Sequence, residues 1–285
     1  MNSFASGVKA NYYGKGDVIA YRLNRDGKTP AGQSPIFGVN AKILIYGSAF
    51  GPTYTTGDNT GLIATDSMKN FIQRETLNFP GDDLESYCRF LGEKFLATYP
   101  QAEGVQLSAT RIPYECLHGV TYVPGGPDRA AARIELVREG SGLRTAEVRS
   151  GIEGFRLLRL NGSAFHGFVR DQYTTLPDIT NRPLHMWLDL DWSYTSADRA
   201  FSKGAVNTQV RSIVHSVYSA FESGSIQQII QQIGDKMLAD IPSIAEIHLE
   251  ANNRTWDTIV EKGEDLGVYT EARPPYGCLG LTLKR

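Results

Sequence analysis

An internal repeat limits what this chain can fold into more than any other feature. The segments LGEKFLATYPQAEGVQL (91–107) and IGDKMLADIPSIAEIHL (233–249) lie 142 residues apart. Gly92, Lys94, Leu96, Ala97, Pro100 and Leu107 recur as Gly234, Lys236, Leu238, Ala239, Pro242 and Leu249. The apolar stripe ahead of each segment recurs at the same offset: Leu84, Tyr87, Cys88, Leu91 and Phe95 in the first copy, Ile226, Ile229, Ile230, Ile233 and Met237 in the second. Positions i, i+3, i+4, i+7 and i+11 line one face of an amphipathic helix.

A Pro-containing turn follows each of these helices, and then an alternating stretch, EGVQLSATRI or AEIHLEANNRTW, with the period of a strand. Another helical pattern precedes each. In the second half it is Val206, Val210, Ile213, Val214, Val217 and Phe221; in the first it begins after Thr65-Asp66-Ser67, whose side chains suit a helix cap. Ahead of the helices, AKILIYGSAF, DNTGLIATD, FRLLRLNGSAFHGFVRD and HMWLDLDWSYT read as long strands with one covered face. Each half therefore reads as two strands, two helices and two strands. The expected fold class is α+β: two tandem domains, 1–142 and 143–285, each an antiparallel sheet with helices on one face. The boundary is expected in the turn-rich GSGLRTAE, near 140–148.

Composition narrows the function classes. The 285 residues, 41% hydrophobic and 21% charged, suit one large domain or two of ordinary size with a substantial core. A net charge of −2 with no basic stripe argues against nucleic acid as a partner. No run of about 18 apolar residues is present to span a membrane. MNSFASGVKANYYGKG lacks the apolar core of a secretory signal, and LTLKR is not the peroxisomal address. Cys88, Cys116 and Cys278 are too scattered for a disulfide framework or a Cys-x-x-Cys metal site. Reduced thiols in a cytoplasmic protein are the expectation. The histidines at 118, 166, 185, 215 and 248 form no metal-binding pair, so no metal is expected.

Four segments carry more polar and aromatic detail than a core requires. NYYGKGDV places Lys15 between two glycines in a turn, and FHGFVRDQYTTLPDITNRPL mixes Phe, Arg, Asp and Thr ahead of a Pro-bounded loop. SGSIQQI opens a helix with Gln227, and EANNRTWD ends a strand in Asn-Asn-Arg-Thr. Singly, each has an ordinary explanation. Lys15 suits a solvated turn, Arg170 and Arg182 suit surface ion pairs, and polar residues such as Gln227 do well at helix starts.

Together, in order from residue 13 to 255, these pieces resemble the urate oxidase (uricase) family. YGKGDV resembles its Tyr-Gly-Lys-x-x-Val segment, IATDSMKN its Ala-Thr-Asp-Ser-x-Lys-Asn segment, and FHGFVRDQYTTLP its Phe-x-Gly-Phe-x-Arg-Asp-x-Tyr-Thr-Thr-Leu segment. The resemblance implies two tunnelling-fold (T-fold) domains per subunit, a homotetramer enclosing a tunnel, and oxidation of urate by O₂ and water without a cofactor. It implies a proton-handling dyad of Lys15 and Thr65. It also implies substrate contacts from Thr65, Phe165 by stacking, Arg182 by its two-pronged donor, Gln227 by its amide, and the backbone N–H groups of Asp66 and Ile226. Asn253 corresponds to the asparagine that holds O₂ or water above the ring, with Asn252 one residue away. The chain departs from the family where many members read Asn-Lys-His: here Thr255 stands in the histidine's place, and a threonine holds no charge near neutral pH. A T-fold enzyme converting pteridines or other purines, and a non-catalytic purine-binding oligomer, are the competing classes.

Overall fold

A computed structural model describes residues 11–30, 33–201, 206–220, 222–263 and 266–285. The leader reading of the first ten residues, and Phe221 of the helical stripe, lie outside these. The chain divides into two compact units, one running to Ser150 and taking in the short segment that begins at Ser196, the other holding Gly151–Thr195 and the remaining C-terminal chain.

The first unit contains β1 (Tyr13–Leu23), β2 (Ile36–Tyr46), α1 (Gly51–Thr55), α2 (Thr65–Asn78), α3 (Leu84–Thr98), β3 (Gly104–Ile112), β4 (Tyr114–His118), β5 (Thr121–Pro124) and β6 (Arg129–Glu139). Its sheet runs β1-β2-β3-β6, and beside β6 lies the first part of β7 (Gly142–Phe165). The second unit continues along β7 with β8 (Ile179–Tyr194), after which α4 (Ala197–Ala200) belongs to the first unit, and then α5 (Val206–Ala220), α6 (Ile226–Asp240), β9 (Ile244–Arg254), β10 (Thr258–Lys262), β11 (Leu266–Tyr269) and β12 (Gly277–Lys284). Its order is β7-β8-β9-β12. The β1-β2, β2-β3, β3-β6, β8-β9 and β9-β12 pairs are all antiparallel. GSGLRTAE holds a tight turn at Gly140-Ser141, after which β7 runs unbroken past residue 143.

The repeat sets the helix positions. Helices α3 and α6 begin and end 142 residues apart, and so do their caps: Asp83 accepts from the Ser86 N–H at 2.7 Å, and Ser225 from the Gln228 N–H at 3.2 Å. All ten stripe residues of the two helices are buried. Burying each such side chain contributes roughly 1.5–3 kcal/mol. The shared glycine has a packing cause. A methyl on Gly92 would come within 2.7 Å of Leu136 Cδ1, and one on Gly234 within 2.5 Å of Leu283 Cδ1, so both helices lie close on the sheet.

Three local expectations need correction. DNTGLIATD forms no strand, because Asp58 accepts from the Thr60 N–H and hydroxyl at 2.9 and 2.6 Å and closes a turn instead. The long stretch FRLLRLNGSAFHGFVRD leaves the sheet at Phe165; beyond it Asp178 accepts from the Gly167 N–H at 3.1 Å, which holds a loop. The last two strands of each half are separated by exposed hairpins, β4-β5 and β10-β11, which the simple two-strand pattern omits. Among the described residues no helix is long and apolar enough to cross a membrane.

Candidate active site

In the first unit, Tyr13 ties the start of β1 to the approach of α2. Its ring meets Phe50 edge-on at 5.2 Å, and its hydroxyl accepts from the Ile63 N–H at 2.9 Å. Lys15 lies in strand β1, not in a turn. It pairs with the fully buried Ile43, which puts its side chain on the helix-covered face. Regular pairing lapses between Lys15 and Val18, where Asp17 adopts φ 54°. Gly14 is required there, since a methyl would sit 1.8 Å from the Ile43 carbonyl oxygen; Gly16 has room for one.

The start of α2 differs from the sequence expectation. The cap is Ala64, which has no side chain to offer, and Thr65, Asp66 and Ser67 are the first helical residues. The first helical bond runs from the Met68 N–H to the Ala64 carbonyl at 3.2 Å. The N–H groups of residues 65 to 67 therefore have no intrahelical acceptor. Asp66 turns its carboxylate to Lys69 and Asn70, and the Thr65 hydroxyl is exposed. The Lys69 hydrogen bond is the main reason that the Asp66 carboxyl lies below the usual range; the Lys15 charge adds a smaller contribution, which places Lys15 near this helix start. No hydrogen bond joins Lys15 to Thr65.

The second unit holds Phe165, Arg182, Ile226, Gln227 and Asn253, and it sets Phe165 and Arg182 side by side. Phe165 ends β7 and Arg182 lies near the start of β8, with the guanidinium carbon 6.0 Å from the ring centre. Phe168 stacks on one face of Phe165 at 4.9 Å, with 14° between the ring planes. Arg182 makes no ion pair or hydrogen bond among the described residues, and its Nε is buried without an acceptor. Burial pushes its pKa down from the usual arginine value, although a guanidinium stays charged. Arg170 does form the expected surface pair, with Asp178 at 3.1 Å; Arg182 does not.

Helix α6 is capped by Ser225, and the Gln228 side chain reaches back to accept from the Gly224 N–H at 2.9 Å. Ile226 and Gln227 follow the cap, so their N–H groups lie free in the first turn, where the helix dipole favours anions. The β8–β9 register separates the two asparagines. Asn253 pairs with buried Met186, on the face that Arg182 shares by alternation; Asn252 pairs with Trp187, on the other face. Arg254 also lies on that other face, between the Trp187 and Tyr276 rings at 4.1 Å from each, opposite His185. His185 thus does not stand in for the histidine replaced by Thr255. A cavity of about 570 Å³ opens beside the site, lined by Ala164, Asn181, Glu222 and Gly224 among others.

Sheet topology and these residues define a class: an α+β protein with helices on an antiparallel sheet, a desolvated cation beside an aromatic ring, and free amides at a helix start. The "Uricase" family model matches residues 148–279. A "Uricase" of Haloferax volcanii is 32% identical over 96% of this chain and 97% of its own length. The "Uric acid degradation bifunctional protein" of Bacillus sp. (strain TB-90) is 38% identical over 95% of this chain. The chain spans 60% of the length of that protein and of its Bacillus subtilis counterpart. A crystal structure of Bacillus sp. TB-90 urate oxidase superposes with a TM-score of 0.87 at 35% identity, covering 96% of this chain and 100% of that one. The chain belongs to the uricase family.

Proposed function

We propose that this chain oxidises urate: urate, O₂ and water give 5-hydroxyisourate and H₂O₂. One observation supports this most directly. The Arg182 guanidinium is desolvated and has no acceptor, and it stands beside an aromatic ring in the unit that carries the two free amides of α6. A desolvated cation without a counter-charge is costly, and a flat anion with oxygens on its edge satisfies every group at once. Phe165 stacks on its face. Arg182 grips one edge in a bidentate fashion, and Gln227 with the Ile226 amide grips the other. Asn253 holds O₂ or water over the ring plane.

Proton handling falls to Lys15 and Thr65, and the free Asp66 amide joins the grip on the anion. The pair passes a proton from a bound water through the threonine hydroxyl. The electron-rich urate anion reduces O₂ itself, so the protein contributes position and electrostatics. The Lys15 and Thr65 half belongs to the first unit and the gripping half to the second. In this reading one copy completes the pocket of another, within two T-fold domains per subunit and a homotetramer enclosing a tunnel.

Oxygen uptake with urate, measured on metal-stripped protein beside Lys15→Met, tests the proposal. Wild type should consume O₂ and release H₂O₂, and the variant should be slower by about 10²- to 10⁴-fold, the usual worth of a positioned proton-transfer group. No uptake by wild type sinks the reading. Recovery with zinc would then point to a pteridine-type enzyme, and urate binding without turnover to a binding protein.

A further inference from the structure

The gripping groups come from three different segments, and one side chain outside the list of expected site residues ties those segments together. Arg159 projects from β7 on the helix-covered face. Its Nη1 donates to the Tyr218 carbonyl at 3.0 Å, in the last turn of α5. Its Nη2 donates to the Gly162 carbonyl at 3.0 Å and to the Ser223 hydroxyl at 2.6 Å. The guanidinium carbon also lies 5.4 Å from the centre of the Tyr218 ring. A cation at a helix C-terminus answers carbonyls that the helix leaves without partners.

The groups around Arg159 form one connected unit. Buried Ser223 donates its N–H to the Gly162 carbonyl at 2.9 Å and accepts from the Ala164 N–H at 2.8 Å. The Gly162 N–H donates to the Asn181 side-chain oxygen at 2.7 Å. The Tyr218 hydroxyl donates to the Leu184 carbonyl at 2.8 Å. Ala164 adjoins Phe165, Asn181 adjoins Arg182, and Ser223 lies a few residues ahead of Ile226 and Gln227. Each wall of the pocket is thus one to four residues from an atom that Arg159 or its direct partners hold.

We propose that Arg159 is a positioning residue: its guanidinium sets the gap between the Phe165 ring and the start of α6, and so the fit of the purine edge. This rests on the urate reading above. A planar fork with fixed donor directions bridges three segments, which a lysine amine with one flexible charge does less well. The gap matters because a misplacement of about 1 Å at a reacting centre costs on the order of 10²-fold in rate.

The test uses full-length Arg159→Gln, Arg159→Lys and Ser223→Ala with urate as the probe. KM for urate, and urate affinity by calorimetry, are measured beside the kcat pH profile and the melting temperature. Arg159→Gln should raise KM and weaken binding by about tenfold or more, each tenfold step being worth about 1.4 kcal/mol. Arg159→Lys should recover part of this, and Ser223→Ala should weaken binding to a lesser degree without loss of fold. The kcat pH profile should keep its shape, because Lys15 and Thr65 are untouched. Unchanged KM and affinity in Arg159→Gln and Ser223→Ala overturn the proposal. So do variants that only melt earlier while their folded fraction binds urate as wild type does. Wild type that binds urate without consuming O₂ would defeat the oxidase reading alone, and the calorimetric arm still decides the clamp.

Discussion

Glu85 shows how a single residue can be legible in position and illegible in state. The repeat places it in the first turn of α3, where an acid near a helix start is ordinary. The structure buries it at 7% exposure, hydrogen-bonded to the Ser150 hydroxyl. Burial raises its pKa above the ordinary 4.5, the Ser150 bond pulls the other way, and nearby Asp83 adds to the rise. The folded state therefore keeps a proton that the unfolded chain would release, so stability is greatest at low pH and declines as pH rises through the folded value. Glu85→Gln should remove that decline and leave the variant the more stable of the two near neutral pH. Urea midpoints measured at pH 4 and pH 8 check this, and parallel pH slopes in both proteins would refute it. No sequence pattern could have shown this, because the burial depends on Ser150, 65 positions away. Arg159 was hidden for the same reason: its partners lie up to 64 residues off. Lys15, Thr65, Phe165, Arg182, Gln227 and Asn253 could be named because short local motifs carry them.

At the scale of elements, periodicity located α3, α6, β3 and β9 closely, since each buries one face and the pattern records it. It failed where a side chain competes with the ladder, as at the Asp58 turn, and where exposed hairpins bury nothing. It also misread the start of α2. A cap of Ser or Thr type would have consumed an amide, whereas Ala64 leaves the amides of residues 65 to 67 without acceptors. The N-terminus of α2 is thus less stable than it could be, in a way that suits a ligand. Ala64→Ser should stabilise the protein by about 1 kcal/mol, the usual worth of a cap. It should also weaken urate turnover, because the new hydroxyl competes for the Asp66 or Ser67 amide. Melting temperature and KM measured together test the trade; a rise in both stability and activity would contradict it.

For the whole molecule, the repeat was legible in the helices, and the different side chains at the repeated positions had to be read from the structure. The residues offset by 142 from Gln227 and Asn253 are Glu85 and Arg111. In the first unit both are already engaged. Glu85 is sealed against Ser150, and Arg111 pairs with Asp82 at 2.9 Å. In the proposed reading the two units therefore offer a single place for a flat anion. Saturating calorimetry with urate should return one molecule bound per chain, and a value of two would mean that the first unit had kept its own pocket. The repeat survives in the backbone and the helix caps, and a stoichiometry of one would show that ligand binding no longer obeys it.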